Sequence, residues 1–482
     1  MDRGSNEKGE VHTMAEKKSY DILFLGAGPA GYVGAIRAAQ LGLNVGVIEK
    51  DKPGGVCLNI GCIPSKALIH QAHMYKNLEA LEKLGVKADT SGFDYGKVFK
   101  ASRAAATKLS KGVAYLLKKN KVEYIEGKGK LAGKGTIELD SGKTLEAKNI
   151  ILAAGSRPIE IPGFEFDGET ILSSDHALML EKLPKSLLIL GGGAIGCEFA
   201  YIMNSFGVEV TVVEMMEHLL PAEDKDIVEV LEKSFKKSGI TVRTKTKASS
   251  VTKKKNTAEV VLSGEDGSEE TVQAKQVLVV VGRKPAADDI GLDSVGIETE
   301  KGFIPVGDYY QTDAEGVFAV GDLTSSPLLA HVASKEAEIA VEYIAEKAGK
   351  GELPEKKADP LSIPSAVYSE PQVAGFGYTE ERAKEEGANF KTAQFPYRGA
   401  GKAVAMEEPE GLVKIIFDSE TKEIMGARVV GVEATEIVHE LLLARHSELL
   451  PEDIATMVHA HPTVSEAVME AARAAEGWAI HI

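Results

Sequence analysis

Two of the three cysteines in the chain, Cys57 and Cys62, stand five residues apart in the stretch GGVCLNIGCIPSK. Such a pair can be a redox couple, half of a metal site, or two packed thiols. In a regular helix, residues i and i+5 lie roughly 8.6 Å apart between Cα atoms, whereas a disulfide needs about 4.4–6.8 Å. A Cys57–Cys62 bond therefore requires a break in any helix there, and Asn59 and Gly61 are residue types that tolerate one. The small ring gains little loop entropy and is easily reduced, which suits electron transfer rather than bracing. Metal sites usually add a second pair of ligands, and no matching Cys or His pair follows, so no metal is expected. Cys197 reads as a small packed residue.

The elements around the pair say what it exchanges electrons with. YDILFLGAGPAGYVGAIRAAQLGLNVGVIEK reads as a strand, a glycine turn at Gly26, Gly28 and Gly31, a helix, and a second strand ending in Glu49. Such a turn lets a pyrophosphate reach backbone N–H groups at a helix N-terminus, while the terminal carboxylate accepts ribose hydroxyls. LLILGGGAIGCEFAYIMNSFGVEVTVVEMM repeats the plan with Gly191, Gly193, Gly196 and Glu214, and the first glycine precedes the glutamate by 23 residues in both copies. The repetition favours two dinucleotide sites over two packing turns. After Glu214 come Met215, Met216, Glu217 and His218 rather than an arginine, which favours NAD over NADP. The cysteine pair begins eight residues after Glu49, at the far end of the first unit, beside the reactive end of whatever that unit holds. Thiols give two electrons and nicotinamide takes a hydride, so a flavin between them is the natural converter.

The 482 residues exceed what one core supports, and about three domains are expected. Net charge −16 argues against nucleic acid or an anionic membrane as partner. No apolar run is long enough for a membrane span, and the first 19 residues hold no signal-like apolar stretch. Residues 1–13 read as an extension or tag ahead of Met14. So few cysteines fit a reducing, cytoplasmic setting. The fold class expected is α/β, with two Rossmann-like dinucleotide-binding domains and a C-terminal α+β domain. The boundaries expected are 14–157 for the first binding domain with the cysteines, 158–282 for the second, 283–356 for a return to the first, and 357–482 for the last. Residues 65–120 carry a basic and apolar helical periodicity, and AGKGELPEKKADP reads as a linker.

Taken together, GGVCLNIGCIPSK, both glycine turns, AAGSRP, VGRKP, GVFAVGDL, YSEPQVAGFGYTEE and HAHPTVSEA, in this order over residues 19–482, resemble the flavoprotein disulfide reductases, and within them the dihydrolipoamide dehydrogenase branch. The resemblance implies FAD on the first unit, at Gly26, Gly28, Gly31 and Glu49, with further contacts at Gly129, Ala154, Gly155, Ser156, Asp322 and Ala330. It implies NAD at Gly191, Gly193, Gly196, Glu214 and Gly282. Lys66 would sit near the flavin and pair with Glu198; Cys57 would exchange with a dithiol substrate and Cys62 would face the flavin as thiolate. The implied reaction oxidises dihydrolipoamide, free or on a lipoyl carrier of a 2-oxoacid dehydrogenase or glycine-cleavage complex, and reduces NAD⁺.

His461 precedes Pro462, which favours extended backbone, and Thr463-x-x-Glu466 matches a capping box, a purely structural role for Glu466. The resemblance instead makes His461 the base for thiol protons, with Glu466 orienting it, and places the pair against the other subunit of a homodimer. NADP-binding arginines for glutathione and a C-terminal cysteine pair for mercuric ion are absent, leaving an NADH-dependent reductase of another disulfide, or a docking flavoprotein without turnover, as the rivals. Lys335 in VASKEA and Lys402 in GAGKA depart from the family pattern and bear on partner preference.

Overall fold

A computed structural model describes residues 19–255 and 257–482; the extension expected over residues 1–13 lies outside the described residues. β1 (Ser19–Leu25) is apolar and almost wholly buried, as a strand covered on both faces must be. It pairs in parallel with β2 (Val45–Glu49) on one side and β6 (Thr144–Leu152) on the other, with β3 (Glu123–Glu126) outside β2. β4 (Gly129–Leu131) and β5 (Thr136–Leu139) extend the first half of β6 antiparallel, while a strand from much later in the chain, β17 (Val317–Ala319), pairs in parallel with its last residues. The long interval between β2 and β3 holds four helices: α2 (Gly55–Ile60), α3 (Cys62–Lys76), α4 (Leu78–Lys83) and α5 (Tyr95–Lys119). α1 (Pro29–Gln40), between β1 and β2, buries Ala30, Gly31, Gly34, Ala35 and Ala38. That small-residue face lets it pack closely on α9 (Ala330–Lys347), and Arg37 is paired with Glu342 at 2.7 Å across the contact.

β7 (Ser156–Pro158) pairs with β16 (Arg283–Pro285), so the chain enters and leaves a second unit side by side. That unit is a parallel sheet in the order β11 (Thr241–Arg243), β10 (Glu209–Val213), β9 (Ser186–Leu190), β15 (Gln276–Val279), β8 (Ile171–Leu172). Helices α6 (Ser174–Ala177), α7 (Ala194–Ser205) and α8 (Lys225–Lys237) accompany it, and an antiparallel meander of β12 (Thr246–Lys253), β13 (Ala258–Gly264) and β14 (Glu269–Ala274) is appended.

The last unit is an antiparallel sheet ordered β18 (Ser365–Val367), β19 (Gln372–Gly377), β22 (Ile424–Gly431), β21 (Leu412–Asp418), β20 (Phe390–Pro396). Around it lie α10 (Glu380–Glu385), α11 (Gly401–Ala405), α12 (Ala434–His446), α13 (Pro451–Thr456) and α14 (Glu466–Ala475). Its core includes Phe376, Phe395, Ile415, Leu441 and Val468. The expected class, two dinucleotide-type α/β units and an α+β C-terminal unit, is the one observed. Among the described residues, no helix is long and apolar enough to cross a membrane.

The second and last units are locked by charge. Lys414, 1 % exposed on β21, meets Asp224 at 3.3 Å and Asp226 at 3.0 Å, together with Glu380. Lys414→Met would leave the carboxylates facing one another without their cation. Breaking a buried ion cluster from one side costs about 3–5 kcal/mol, so the variant should unfold at clearly lower urea; an unchanged midpoint would show that the cluster is not holding the units together.

Candidate active site

The carboxyl ends of the two parallel sheets carry the same cradle. A Cβ on Gly31 would lie 1.9 Å from the carbonyl oxygen of Gly26, and one on Gly196 would lie 2.0 Å from that of Gly191. Only glycine lets the helix start this close to the turn. The middle glycines face outward: a Cβ on Gly193 meets nothing within 4 Å, and one on Gly28 would have its nearest neighbour 4.0 Å away. Gly28 and Gly193 are the N-caps of α1 and α7, and neither helix has a side-chain cap. Both helix ends therefore present N–H donors to open space, which fits a pyrophosphate.

The terminal glutamates match as closely. Glu49 accepts the N–H of Ala27 at 2.7 Å through one oxygen and that of Asp51 at 2.9 Å through the other. Glu214 does the same with Gly192 at 2.7 Å and Met216 at 2.8 Å. Each oxygen retains a second lone pair, so the carboxylates are aimed and able to accept ribose hydroxyls. Two cations absent from the sequence pattern lie near Glu214, because the main chain of Arg243 and Lys245 runs alongside. Both are drawn toward acids, Arg243 to Glu270 at 3.6 Å and Lys245 to Glu217 at 3.7 Å.

The cysteines sit where the helix breaks. α2 ends at Ile60, α3 begins at Cys62, and Gly61 between them has φ −148° and ψ −118°. A Cβ on Gly61 would lie 2.9 Å from the Val56 carbonyl oxygen, so only glycine lets the two helices fold this tightly around the pair. The loop is tied to the first cradle by the N–H of Gly54 donating to the carbonyl of Ala27 at 2.8 Å. Asn59 braces it by donating to the carbonyls of Pro53 and Gly55. Cys57, in α2, and Cys62, the first residue of α3, are brought to the two sides of this break, each partly buried. Cys197 is fully buried, as expected of a packed residue, and burial pushes its thiol well up.

The pair is electrically asymmetric. Cys57 donates to Cys62, which raises Cys57 strongly, with burial adding to the effect. The same hydrogen bond lowers Cys62 to about 7 against the opposing effect of burial, and Lys66 one turn along α3 helps. Lys66 is held by both carboxylate oxygens of Glu198 on α7 at 2.9 Å and lies 4.5 Å from the ring centre of Tyr368. Glu198 also accepts the Tyr368 N–H at 3.1 Å. The expected Lys66–Glu198 pair is thus formed, and it joins all three units at the cysteines. A lowered thiol pKa means the thiolate fills in as pH rises through about 7. Lys66→Met should move that midpoint upward by about one pH unit, read from the ultraviolet thiolate absorbance of the reduced protein against Cys62→Ser; an unmoved midpoint would remove Lys66 from the account.

Three separated segments meet beyond β6. Ser156 donates to Asp322 in the 3₁₀ turn Gly321–Leu323, and Arg283 donates to the Ser156 hydroxyl at 2.8 Å and its carbonyl at 2.9 Å. Ala154 and Gly155 lie in the link from β6 to β7, Gly282 accepts the Ile159 N–H at 3.1 Å, Gly129 opens β4, and Ala330 opens α9. Arg283 and Glu336 are not among the residues that the sequence singles out. Glu336, fully buried on α9, accepts the N–H of Gly321, and burial pushes its carboxyl up to about 7.

His461 belongs to the surface of the last unit. Its Nδ1 is 3.0 Å from one oxygen of Glu466, whose other oxygen accepts the Thr463 N–H at 2.9 Å. Burial opposes ionisation of Glu466, but the Thr463 N–H and then His461 outweigh it and hold the carboxyl below its ordinary range. The capping box expected at Thr463 and Glu466 is half formed. Glu466 is the first residue of α14, and the Thr463 hydroxyl donates instead to the Ala460 carbonyl. The carboxylate therefore both ties down the turn and holds the imidazole. The His461 side chain is 76 % exposed, and among the described residues no hydrogen bond or ion pair joins it to the cysteine loop of its own chain. Gly401 of the GAGKA segment lies beside it, where a Cβ would fall 3.8 Å from His461 Cε1.

Known proteins share this arrangement. Residues 20–337 match the pyridine nucleotide-disulphide oxidoreductase family, and residues 363–472 match its dimerisation domain, which supports a homodimer. A dihydrolipoyl dehydrogenase of Bacillus subtilis is 41 % identical over 96 % of this chain and 99 % of its own, and one from Chlorobaculum tepidum is 43 % identical over 94 % and 96 %. The crystal structure of LpdA from Mycobacterium tuberculosis superposes with a TM-score of 0.85 at 28 % identity, covering 94 % of this chain and 98 % of that one. With twin nucleotide cradles, a cysteine couple tied to the first of them and these matches across nearly the whole length, the chain belongs to the pyridine nucleotide-disulphide oxidoreductase family.

Proposed function

We propose that the enzyme is a dihydrolipoyl dehydrogenase, which oxidises a dihydrolipoyl dithiol to its cyclic disulfide and reduces NAD⁺ to NADH. The observation that carries the reading is the cysteine couple at the Gly61 break, tied to the first of two nucleotide cradles by the Gly54–Ala27 hydrogen bond and flanked by the Lys66–Glu198 pair. In the oxidised couple, a substrate thiolate attacks Cys57, forming a mixed disulfide as the Cys57–Cys62 bond breaks and Cys62 leaves as thiolate. The second substrate sulfur then attacks the first, closing the lipoyl ring and releasing Cys57. His461 takes the protons as each substrate thiol ionises, held in orientation by Glu466. The first cradle, with Gly26, Gly28, Gly31 and Glu49, would hold FAD and the second, with Gly191, Gly193, Gly196 and Glu214, would hold NAD⁺, and the flavin would supply the conversion between thiol electrons and hydride. The balance is one dithiol and one NAD⁺ giving one disulfide, NADH and H⁺.

The partners in this reading are dihydrolipoamide and a lipoyl-bearing carrier of a larger complex, in a cytoplasmic setting supported by the sparse cysteines. The units at 14–157 with 283–356, at 158–282 and at 357–482 then serve FAD, NAD and dimerisation. An anaerobic titration with dihydrolipoamide tests it. A long-wavelength absorbance band should appear at half reduction, followed by NADH when NAD⁺ is added. An enzyme reduced by NADH but untouched by dihydrolipoamide would send the reading to another disulfide.

Nucleotide choice is a separate prediction. Glu214→Arg should raise KM for NAD⁺ by about tenfold or more, the cost of losing a charged hydrogen bond, and narrow the preference over NADP⁺. Unchanged constants for both would mean the ribose does not sit at Glu214.

A further inference from the structure

The charge of the chain is unevenly spread. Against a net −16, α5 carries Lys97, Lys100, Arg103, Lys108, Lys111, Lys118 and Lys119 and no acidic residue. Its inner face, with Tyr95, Val98, Ala106, Val113 and Leu117, is buried in the protein. Lys97, Lys100, Lys108, Lys111 and Lys118 follow helical spacing on the opposite, exposed face. From the rise of a helix, the stripe runs for roughly 31 Å. Among the described residues none of these lysines forms an ion pair, although the chain has 72 acidic residues to offer. A cationic row left unpaired on an acidic protein is free to meet charge from outside.

The row also leads to the reacting sulfurs. Arg103 donates to the carbonyl of Asn59 at 2.7 Å, inside the Cys57–Cys62 loop, and its Nε and second terminal nitrogen are buried without a hydrogen-bond partner. Lys100, Arg103, Ala104, Thr107, Lys108 and Lys111 line a surface hollow of about 550 Å³. We propose that this face of α5 docks an acidic surface of the carrier protein that bears the dihydrolipoyl group, holding it while its dithiol arm reaches Cys57. The inference rests on the dihydrolipoyl dehydrogenase reading and adds the surface that recognises the carrier. An acidic carrier is repelled by the enzyme's net charge at long range. At physiological salt, charges beyond about 8 Å are screened, so the local stripe decides the encounter.

The test compares wild type with Lys100→Glu/Lys108→Glu/Lys111→Glu on free dihydrolipoamide and on a purified, dihydrolipoylated carrier domain of net negative charge. The expected result is a KM for the carrier raised tenfold or more, with kcat and KM for free dihydrolipoamide unchanged. Added salt should lower wild-type kcat/KM for the carrier steeply and that of the variant little. An unchanged carrier KM with normal turnover of free dihydrolipoamide would overturn the docking surface and leave the reaction intact. Equal loss on both substrates would also overturn it, since the stripe would then act on the cysteines and not on the carrier. A wild-type enzyme inactive with both would overturn the dihydrolipoyl reading itself, and the docking surface with it.

Discussion

Cys62→Ser is expected to eliminate dihydrolipoamide-dependent reduction of NAD⁺, with kcat down by at least about a thousandfold, as for loss of a group on which the chemistry depends. Serine has nearly the volume of cysteine, so the packing behind the Gly61 break and the Gly54–Ala27 hydrogen bond should survive, and the variant should fold and retain its colour. What it loses is a sulfur that can form a disulfide and leave as an anion near pH 7. Cys57→Ser should be as inactive for a different reason. A serine hydroxyl at 57 can still donate toward Cys62, so the Cys62 thiolate should persist, but no sulfur remains to receive the substrate. Thiolate titration therefore separates two variants that steady-state rates cannot. Cys197→Ala, at a fully buried position with no part in the sulfur relay, should be near wild type in turnover. Substantial turnover in either Cys57→Ser or Cys62→Ser would end the sulfur relay.

What the chain discloses by itself is chemistry set by near neighbours in sequence. Gly26, Gly28 and Gly31 with Glu49, and their copies around Glu214, are visible because a pyrophosphate turn is built within about thirty residues. The helix break between Cys57 and Cys62 follows from disulfide reach alone, and Gly61 supplies it. Contacts across long separations are not visible. Arg283 reaches Ser156 across 127 residues, and Arg103 reaches Asn59 across 44, each through a loop whose course no local pattern encodes. β17 joins β6 only after the entire second unit has been threaded between them. The capping box is only half formed for a local reason. Thr463 does not become an N-cap, since α14 starts only at Glu466 and leaves Thr463 in the preceding turn. The departures at Lys335 and Lys402 are equally legible as differences, and Lys402 directly follows Gly401, which lies beside the His461 ring.

His461→Gln is expected to lower kcat with dihydrolipoamide by about 10²–10⁴-fold, the usual contribution of a positioned acid–base group. Glutamine keeps a polar side chain of similar reach but cannot carry the proton. Glu466→Gln should cost less, because His461 remains while its orientation and the charge opposite it weaken. The harder question is which cysteine pair His461 serves, and its 76 % exposure, with no bond to its own couple, points across the dimer. Mixed dimers decide it. Cys57→Ser and His461→Gln homodimers should each be nearly inactive. In a hybrid of the two chains, a shared site joins Cys57 of the His461→Gln chain to the histidine of the Cys57→Ser chain, and that site is wholly wild type. Random reassociation in a twofold dimer should then restore about a quarter of wild-type activity, since half the dimers are hybrids with one intact site of two. If each site were built from one chain, both sites of every hybrid would be defective and mixing would restore nothing.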